Sequence, residues 1–249
     1  MADKINVKDI RLKVIPSTLA NNFIKKHHYS GKVVNNSSLH FGCFYKDILH
    51  GVMSYGSPMM KHKVLPLVET GQTEKQKWSS VLELNRMAFD NTLPANSESR
   101  CLSVSFRLLR KNAPHVKWIL SYSDATASGD GTIYRASGFE LTQIKKNKSI
   151  VVLPDGKRIA SISLQKDMGL RTRVYKKYNV TMETGAKINN LLKIAHYAEG
   201  YQLRYIKLLD SQCSIVVPIL PFSAIDESGA GMLRGEKVSQ ASRHSAANE

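Results

Sequence analysis

The 249-residue sequence has few cysteines and no long apolar run. Its three cysteines, Cys43, Cys101 and Cys213, stand far apart and form no Cys-x-x-Cys pair. A disulfide scaffold and a thiolate zinc site are therefore not expected, and buried thiols in a reducing cytoplasm fit better. No apolar stretch approaches the roughly 20 residues of a membrane-spanning helix. Residues 1–4 also lack the apolar region of a signal peptide, so we expect a cytoplasmic protein with no membrane partner.

Acidic residues are scarce as well. Lysine and arginine number 36 against 20 aspartates and glutamates, which gives a formal net charge of +16 and a pI near 9.8. This excess favours a polyanionic partner, with nucleic acid ahead of an anionic membrane surface. The alternative is a basic surface that serves solubility alone.

Basic and aromatic side chains concentrate in residues 169–210, where residues 186–199 have helical spacing. Cations that neutralise phosphates, with tyrosines between them, suit nucleic acid. The alternative is a solvated helix face covered by lysine stems and half-buried tyrosines. The candidate DNA contacts are Arg171, Arg173, Lys176 and Lys177.

Apolar periodicity predicts the order β-α-β-β-β-α-β-α-β-β. A strand-helix-strand crossover at the centre favours the α/β class, with a mixed sheet flanked by helices. Residues 57–78 have little periodicity and are predicted to be a loop, and residues 226–249 are predicted to be a disordered tail. The strands are expected at residues 9–15, 39–45, 48–55, 81–89 and 116–123 and on both sides of residues 154–157.

Residues 118–139 are the most informative stretch for chemistry. A buried strand delivers Asp124 to its C-terminal end, where α/β proteins place reactive groups. A glycine-rich turn and a short helix with Tyr134 follow. Asp124 is a candidate general base or metal ligand, or a carboxylate that stabilises the turn. Tyr134 is a candidate proton donor, or a ring that covers the core.

Three further segments carry polar candidates. His28 and Tyr29 end the first helix, and His28 is a candidate acid, base or ligand, although a lone histidine is more often structural. Arg86 lies in an apolar strand and needs an anionic partner, either a phosphate or a nearby carboxylate. Around the start of the helix after that strand, Ser97, Ser99 and Arg100 can hold a phosphate, or Ser97 can simply cap the helix.

Taken together, these segments resemble the phage Mom family of DNA adenine-modification proteins, which have an acyl-CoA N-acyltransferase (GNAT) fold. The resemblance covers roughly residues 10–210 and is specific because separated motifs occur in the right order. Its motifs are His-His-Tyr-Ser-Gly-Lys at 27–32, Phe-Gly-Cys-Phe-Tyr at 41–45, Leu-Glu-Leu-Asn-Arg-Met-Ala-Phe at 82–89, Ser-Glu-Ser-Arg at 97–100, and Ser-Asp at 123–124 with the segment 129–139.

The resemblance implies a transferase that converts adenine N6 in double-stranded DNA to the carbamoylmethyl form. It further implies a phage or prophage protein that acts in the bacterial cytoplasm and shields DNA from restriction enzymes. The positions that it implicates are His28, Tyr29, Arg86, Ser99, Asp124 and Tyr134. We accordingly expect a GNAT-like catalytic domain over residues 1–168 and a basic C-terminal helical extension, the DNA-binding part, over residues 169–225.

The product limits what can be carried over from acyl transfer. Carbamoylmethyl-adenine has a CH₂ on N6, whereas acetyl-CoA transfer gives an amide, and this chain lacks the glycines of the usual GNAT pyrophosphate loop. The donor is therefore an acyl-CoA used with an extra step, or another glycine-type molecule. A redox metal held by His28 and Asp124 is a further hypothesis, for which iron suits better than zinc.

Two functions of other classes remain open at this point. The same site can serve an N-acyltransferase that acts on protein or tRNA. The chain can also be a non-enzymatic DNA-binding protein whose polar candidates are structural. The sequence leaves the oligomeric state undetermined.

Overall fold

The computed structural model describes residues 5–238. The chain divides into two compact units. The first unit combines the residues up to Ile144 with those from Leu203 onward, and the second unit is Lys145–Gln202.

Within residues 5–238 the structure has eight α-helices, of which the longest is amphipathic and buries one face. That face carries Cys101, Leu102, Phe106 and Leu109 at helical spacing. The helices are α1 (Ser17–His27), α2 (Lys61–Val64), α3 (Glu74–Ser79), α4 (Ser97–Asn112), α5 (Thr132–Ala136), α6 (Ser161–Lys166), α7 (Met168–Lys177) and α8 (Ser223–Glu227).

The same residues contain fourteen strands. The strands are β1 (Arg11–Val14), β2 (Ser37–Tyr45), β3 (Ile48–Gly56), β4 (Val68–Glu69), β5 (Val81–Phe89), β6 (Trp118–Ala125), β7 (Glu140–Lys146), β8 (Ile150–Val152), β9 (Arg158–Ala160), β10 (His196–Tyr197), β11 (Tyr201–Leu208), β12 (Ser214–Ile215), β13 (Met232–Leu233) and β14 (Glu236–Lys237).

Seven of these strands form the main sheet in the order β1-β2-β3-β5-β6-β11-β7. The strands β1, β2, β3 and β5 are antiparallel neighbours, whereas β5 and β6 are parallel. The predicted mixed sheet flanked by helices is therefore confirmed. Two features shape its centre: the β5–β6 pairing ends at Leu84 and Ser121, and a register shift in β5 leaves Asn85 as an extra residue opposite β3.

The second unit has its own small sheet and core. Its strands pair in the order β10-β8-β9. Helices α6 and α7 contribute Leu164, Val174 and Tyr175 to a core with Val151 and Leu191. The apolar positions of α7 recur at helical spacing, which leaves its remaining face to cations.

The structure differs from the sequence prediction in three segments. Residues 57–78 are not a plain loop, because they contain α2, β4 and α3. Residues 186–199 contain only a 3₁₀ turn (Leu191–Lys193) and the short β10, so helical spacing over so short a segment did not produce an α-helix. Within the predicted tail, residues 226–238 form the end of α8 and the β13–β14 hairpin, and residues 239–249 lie outside the described part.

The predicted domain boundary at residue 168 also differs from the division in the structure. The supposed extension, residues 169–225, contains β11, which lies inside the main sheet next to β6. The reason is burial, because Leu203, Tyr205 and Ile206 are core side chains of the first unit. The tyrosines and cations of this segment are typical of a DNA-binding surface, and an alternating strand with one buried face has the same composition.

Candidate active site

A cavity of about 400 Å³ lies where β5 and β6 stop pairing. Beyond this point Arg86 on β5 and Asp124 on β6 no longer share a hydrogen-bonded ladder, and their side chains line the cavity. The bulge at Asn85 helps to set the direction of the Arg86 side chain. Four sequence-predicted residues join Arg86 here: His28, Tyr29, Asp124 and Tyr134.

Tyr29 and Asp124 form the closest polar contact among them. The Tyr29 hydroxyl donates to Oδ2 of Asp124 at 3.2 Å, and the backbone N–H of Thr126 donates to Oδ1 at 3.0 Å. Burial, followed by the neighbouring Asp124 carboxylate, raises the pKa of Tyr29. Tyr29 therefore keeps its proton and orients Asp124. Each carboxylate oxygen of Asp124 has a further lone pair that can accept another hydrogen bond.

His28 is held as a neutral ring. Burial, and secondarily the charge of Arg86, lower the pKa of His28 to about 4. The backbone N–H of Ser30 donates to Nδ1 at 3.2 Å, and the Ser30 hydroxyl lies 2.8 Å from the same nitrogen. A neutral imidazole that accepts at Nδ1 carries its proton on Nε2, so His28 presents a hydrogen-bond donor rather than a base.

Tyr134 and Arg86 complete the cavity wall. The Tyr134 ring contacts the rings of Phe139 and Tyr205, with centroids 5.2 and 5.3 Å away. Burial raises the pKa of Tyr134, and a hydrogen bond with Ser121 opposes that effect. Arg86 donates through Nε to the carbonyl of Lys32 at 2.9 Å and through Nη1 to the carbonyl of Asn85 at 2.7 Å. These backbone contacts fix the guanidinium without neutralising its charge.

Several site features escaped the sequence analysis. Tyr122 is 45% exposed and lines the cavity beside Asp124; a tyrosine that points outward from an otherwise buried strand was the available signal. Glu83 lies near Arg86, and burial raises the pKa of Glu83 to about 7. The hairpin residues Met232, Leu233 and Arg234 also line the cavity, and no local pattern linked them to it.

Asp130, in the loop after β6, is structural. Its side chain is fully buried and accepts from the Thr132 hydroxyl at 3.2 Å, from Arg135 at 3.3 Å and from the backbone N–H of Met232 at 2.9 Å. It thus fastens α5 and the β13–β14 hairpin to one loop. Asp130 lines the same cavity as Asp124, but its carboxylate is engaged by these three donors within the fold.

At the start of α4, the predicted donor-binding residues donate to backbone carbonyls. The Ser97 hydroxyl is buried and donates to Pro94 at 2.6 Å, and the Ser99 hydroxyl donates to Asn96 at 3.1 Å. Arg100 donates to the carbonyls of Val7 and Lys8 at 2.8 and 3.3 Å. Ser97 therefore supports the helix start, whereas Ser99 and Arg100 also line a second cavity of about 610 Å³.

That second cavity is positively charged. Four cationic side chains line it and no carboxylate does so. Three of them are anchored to backbone carbonyls: Arg100 as described above, Arg110 at Leu209 (2.9 Å) and Lys207 at Gly138 (2.9 Å). Such a lining suits phosphate groups. The four cations are Arg100, Arg107, Arg110 and Lys207.

The iron hypothesis finds no matching donor set in residues 5–238. Within them, no three histidine, cysteine, aspartate or glutamate side chains come together as a metal site. His28 and Asp124 share the cavity, but Nδ1 of His28 and Oδ2 of Asp124 already accept protein hydrogen bonds. We therefore derive no step through a metal. Helices long and apolar enough to cross a membrane are also absent from this part of the chain.

The predicted DNA contacts lie on α7, in the second unit, and they differ from one another. Arg171 is 1% exposed and donates to the carbonyls of Glu183, Gly185 and Lys187. The Arg171 side chain is thus buried, and its donors organise the segment after α7 rather than face solvent. Arg173 and Lys176 are exposed, and Lys177 pairs with Asp155 at 2.7 Å.

Comparison with known proteins agrees with the motifs. Residues 9–223 match the Mom protein family. One curated relative, the methylcarbamoylase Mom of Escherichia phage Mu, is 30% identical over 206 residues, which are 82% of this chain and 78% of that protein.

Solved acetyltransferases overlap this structure more loosely. The polyamine N-acetyltransferase of Drosophila melanogaster has a TM-score of 0.44 at 9% identity, over 80% of this chain and 100% of that one. A GNAT family acetyltransferase from Elizabethkingia anophelis, solved with acetyl-CoA, has a TM-score of 0.42 at 12% identity. The match covers 80% of this chain and 98% of that one. Values this low say nothing about activity.

Proposed function

The chain belongs to the Mom protein family, and from this premise we propose that it is a methylcarbamoylase that converts adenine N6 in DNA to the carbamoylmethyl form. One observation supports this beyond membership. Five side chains of the family motifs, from three separate segments, line a single cavity: His28, Tyr29, Arg86, Asp124 and Tyr134. Plain DNA binding gives no reason for that convergence. Acylation of protein or tRNA can use the same cavity, and the identity of the modified product distinguishes it.

The reaction requires one proton to be removed and one to be supplied. Adenine N6 is an amine of low basicity, so a bond from N6 to the donor's CH₂ carbon leaves an N–H proton that a base must take. Asp124 is the acceptor, since Tyr29 holds its carboxylate in place. The bond between that carbon and the leaving group breaks with its electron pair on the leaving group. Tyr134, which stays protonated, supplies the proton there.

His28 and Arg86 act by positioning. Neutral His28 offers its Nε2–H to an acceptor nitrogen of the adenine ring. Arg86 places a positive charge beside the cavity, where negative charge develops on the leaving group. Because the pKa of His28 is about 4, this arrangement persists throughout the physiological pH range.

We propose that the donor is an acyl-CoA or another glycine-type molecule with anionic groups. The donor's two-carbon unit must carry its leaving group on the CH₂ carbon, so an acyl-CoA, which is activated at its carbonyl, serves only with an extra step that provides that leaving group. The second cavity suits its phosphates, which Ser99, Arg100 and Arg107 would hold. Ser97 does not belong to this set, because its hydroxyl is buried against Pro94.

The DNA partner is proposed to be double-stranded and to contact the exposed cations of the second unit. Arg173 and Lys176 are the contacts that remain after Arg171 is removed from the set and Lys177 is assigned to Asp155. Each phosphate contact releases about one counterion. Replacing Arg173 and Lys176 by alanine should thus reduce the slope of log DNA affinity against log salt concentration by about two. An unchanged salt slope would place the DNA surface elsewhere.

The biological setting follows from the family. We propose a phage or prophage protein that acts in the bacterial cytoplasm and makes DNA resistant to restriction enzymes. Mass spectrometry of nucleosides from cells that express the chain tests the function directly. The expected result is a deoxyadenosine that is heavier by one carbamoylmethyl group. Modified tRNA or protein with unmodified DNA would support the acyltransferase alternative, and no modification would support a binding protein.

A further inference from the structure

A short hairpin near the C-terminus forms one wall of the candidate active site. Strands β13 and β14 are joined by Arg234 and Gly235, whose φ angles are 51° and 87°. Positive φ at both positions gives the two-residue turn that suits a tight hairpin. The hairpin lies outside residues 9–223, the part that matches the Mom family. Its role is therefore not assigned by membership.

The hairpin is fastened to the loop that follows Asp124. The backbone N–H of Asp130 donates to the carbonyl of Met232 at 3.0 Å, and the N–H of Met232 donates back to Oδ2 of Asp130 at 2.9 Å. Gly235 donates to the carbonyl of Ser128 at 2.7 Å. The tip of the hairpin thus has a fixed place at the cavity rim.

Two exposed side chains stand at that tip. Leu233 is 40% exposed and Arg234 is also exposed, and both line the cavity. An apolar side chain in water beside a polar cavity contributes little to the fold. Arg234 is also a poor choice for its position, because non-glycine residues other than Asn and Asp are disfavoured at positive φ. Both residues are therefore better explained by a ligand than by stability.

We propose that this hairpin is a DNA wedge: Leu233 enters the base stack in place of the target adenine, and Arg234 contacts an adjacent phosphate. The proposal rests on the proposed function and deepens it. Adenine N6 is paired with thymine in the duplex, and a cavity enclosed by His28, Asp124 and Tyr134 can receive the base only after extrusion. Apolar side chains that insert between base steps are a known means of holding DNA unstacked.

The first experiment measures base extrusion without any donor. A duplex that carries 2-aminopurine at the target position fluoresces when that base leaves the stack. Wild-type protein should raise the fluorescence several-fold, and Leu233→Ala should lose most of the rise. The matched control is Leu19→Ala, since Leu19 is 43% exposed on α1 and does not line this cavity. Equal responses from wild type and Leu233→Ala would overturn the wedge.

The second experiment separates a wedge from a structural role. The full-length variants are incubated with duplex oligonucleotides in a bacterial extract that supplies the donor, and the nucleosides are analysed by mass spectrometry. A pyrene nucleotide opposite the adenine fills the stack and pushes the base out, so it should restore modification by Leu233→Ala to near the wild-type level. Equal losses on both duplexes would show a structural role and overturn the proposal. If wild type modifies neither duplex, the proposed function fails and the wedge fails with it.

Arg234→Asn tests the second half of the proposal. Asn accepts the positive φ better than Arg, so the hairpin should be as stable as in the wild type or more so. The DNA affinity of this variant should fall by about tenfold at low salt. The slope of log affinity against log salt concentration should fall by about one. An unchanged affinity would remove Arg234 from the DNA surface.

Discussion

The gap between β5 and β6 and the start of α4 both carry polar side chains at places where sequence patterns predict chemistry. They differ in what those side chains bind. In the gap, Asp124 and Tyr134 face a cavity. At the helix start, the Ser97 hydroxyl is buried and donates to the carbonyl of Pro94. A polar residue in a functional position is therefore informative only when the fold leaves its hydrogen-bonding capacity for a ligand.

The physical reason lies in the backbone that surrounds each place. A parallel strand pair that separates creates a space that no backbone group fills, as β5 and β6 do after Leu84 and Ser121. Asn96, at the start of α4, has left-handed φ and no capping side-chain bond. The carbonyls of Pro94 and Asn96 there accept the backbone N–H groups of Ser97 and Arg100, and the Ser97 and Ser99 hydroxyls lie close enough to donate to the same carbonyls.

The largest expected effect is that of Asp124→Asn. The substitution keeps the shape and still accepts the Tyr29 hydrogen bond, but it removes the carboxylate that takes the N6 proton. Modification of DNA should fall by about 10²- to 10³-fold, the range of a positioned base. The measurement is nucleoside mass spectrometry at equal protein levels, with DNA affinity as the control for folding. Parental modification by this variant would mean that the strand gap is no more reactive than the helix start.

Tyr134→Phe should have a smaller effect. The hydroxyl is the proposed proton donor to the leaving group, yet its raised pKa makes it a weak acid. We expect a loss of about 10²-fold or slightly less, with the ring contacts to Phe139 and Tyr205 kept. Tyr122→Phe is the matched control, since it removes a hydroxyl from the same cavity wall. Equal effects of the two variants would argue against a special role for Tyr134.

The fold was largely predictable from local patterns. The β2–β3 hairpin and strands β5 and β6 have the periodicity of their structure and were predicted within a few residues, and helix α4 begins where the sequence places a helix start, at Ser97. The motif residues His28, Arg86 and Asp124 were also named, although nothing local says that they meet. Their convergence depends on the order of the strands in the sheet. Only the resemblance to a protein family predicts that order.

The failures have equally specific causes. Arg171 has the same sequence setting as Arg173, but α7 turns one of them toward the segment after the helix and the other toward solvent. The composition of residues 226–238 suggests disorder, whereas hydrogen bonds to Asp130 and Ser128 hold that segment. Such long-range contacts leave no mark on composition or periodicity.

Ser97→Ala tests the helix start with a small expected effect. The variant loses a buried hydrogen bond to the carbonyl of Pro94, so the free energy of unfolding should fall by about 1–2 kcal/mol. The modification rate should stay within about twofold of the wild type, since the hydroxyl faces no cavity. Urea denaturation and nucleoside analysis measure the two quantities. A large loss of activity that excess donor restores would instead return Ser97 to the donor site.

Glu83→Gln gives the smallest and most pH-dependent effect. Burial raises the pKa of Glu83 from 4.5 to about 7, so between those values the unfolded chain releases a proton that the folded chain retains. Stability conferred by the neutral acid is present below pH 4.5 and is lost as the pH rises to about 7. The shift corresponds to roughly 3 kcal/mol at most, and access of water reduces it to about 1 kcal/mol. Glu83→Gln should thus be more stable than the wild type at pH 8 and equal to it at pH 4.5. A stability difference that does not change with pH would mean that packing, rather than the buried charge on β5 beside Arg86, separates the two proteins.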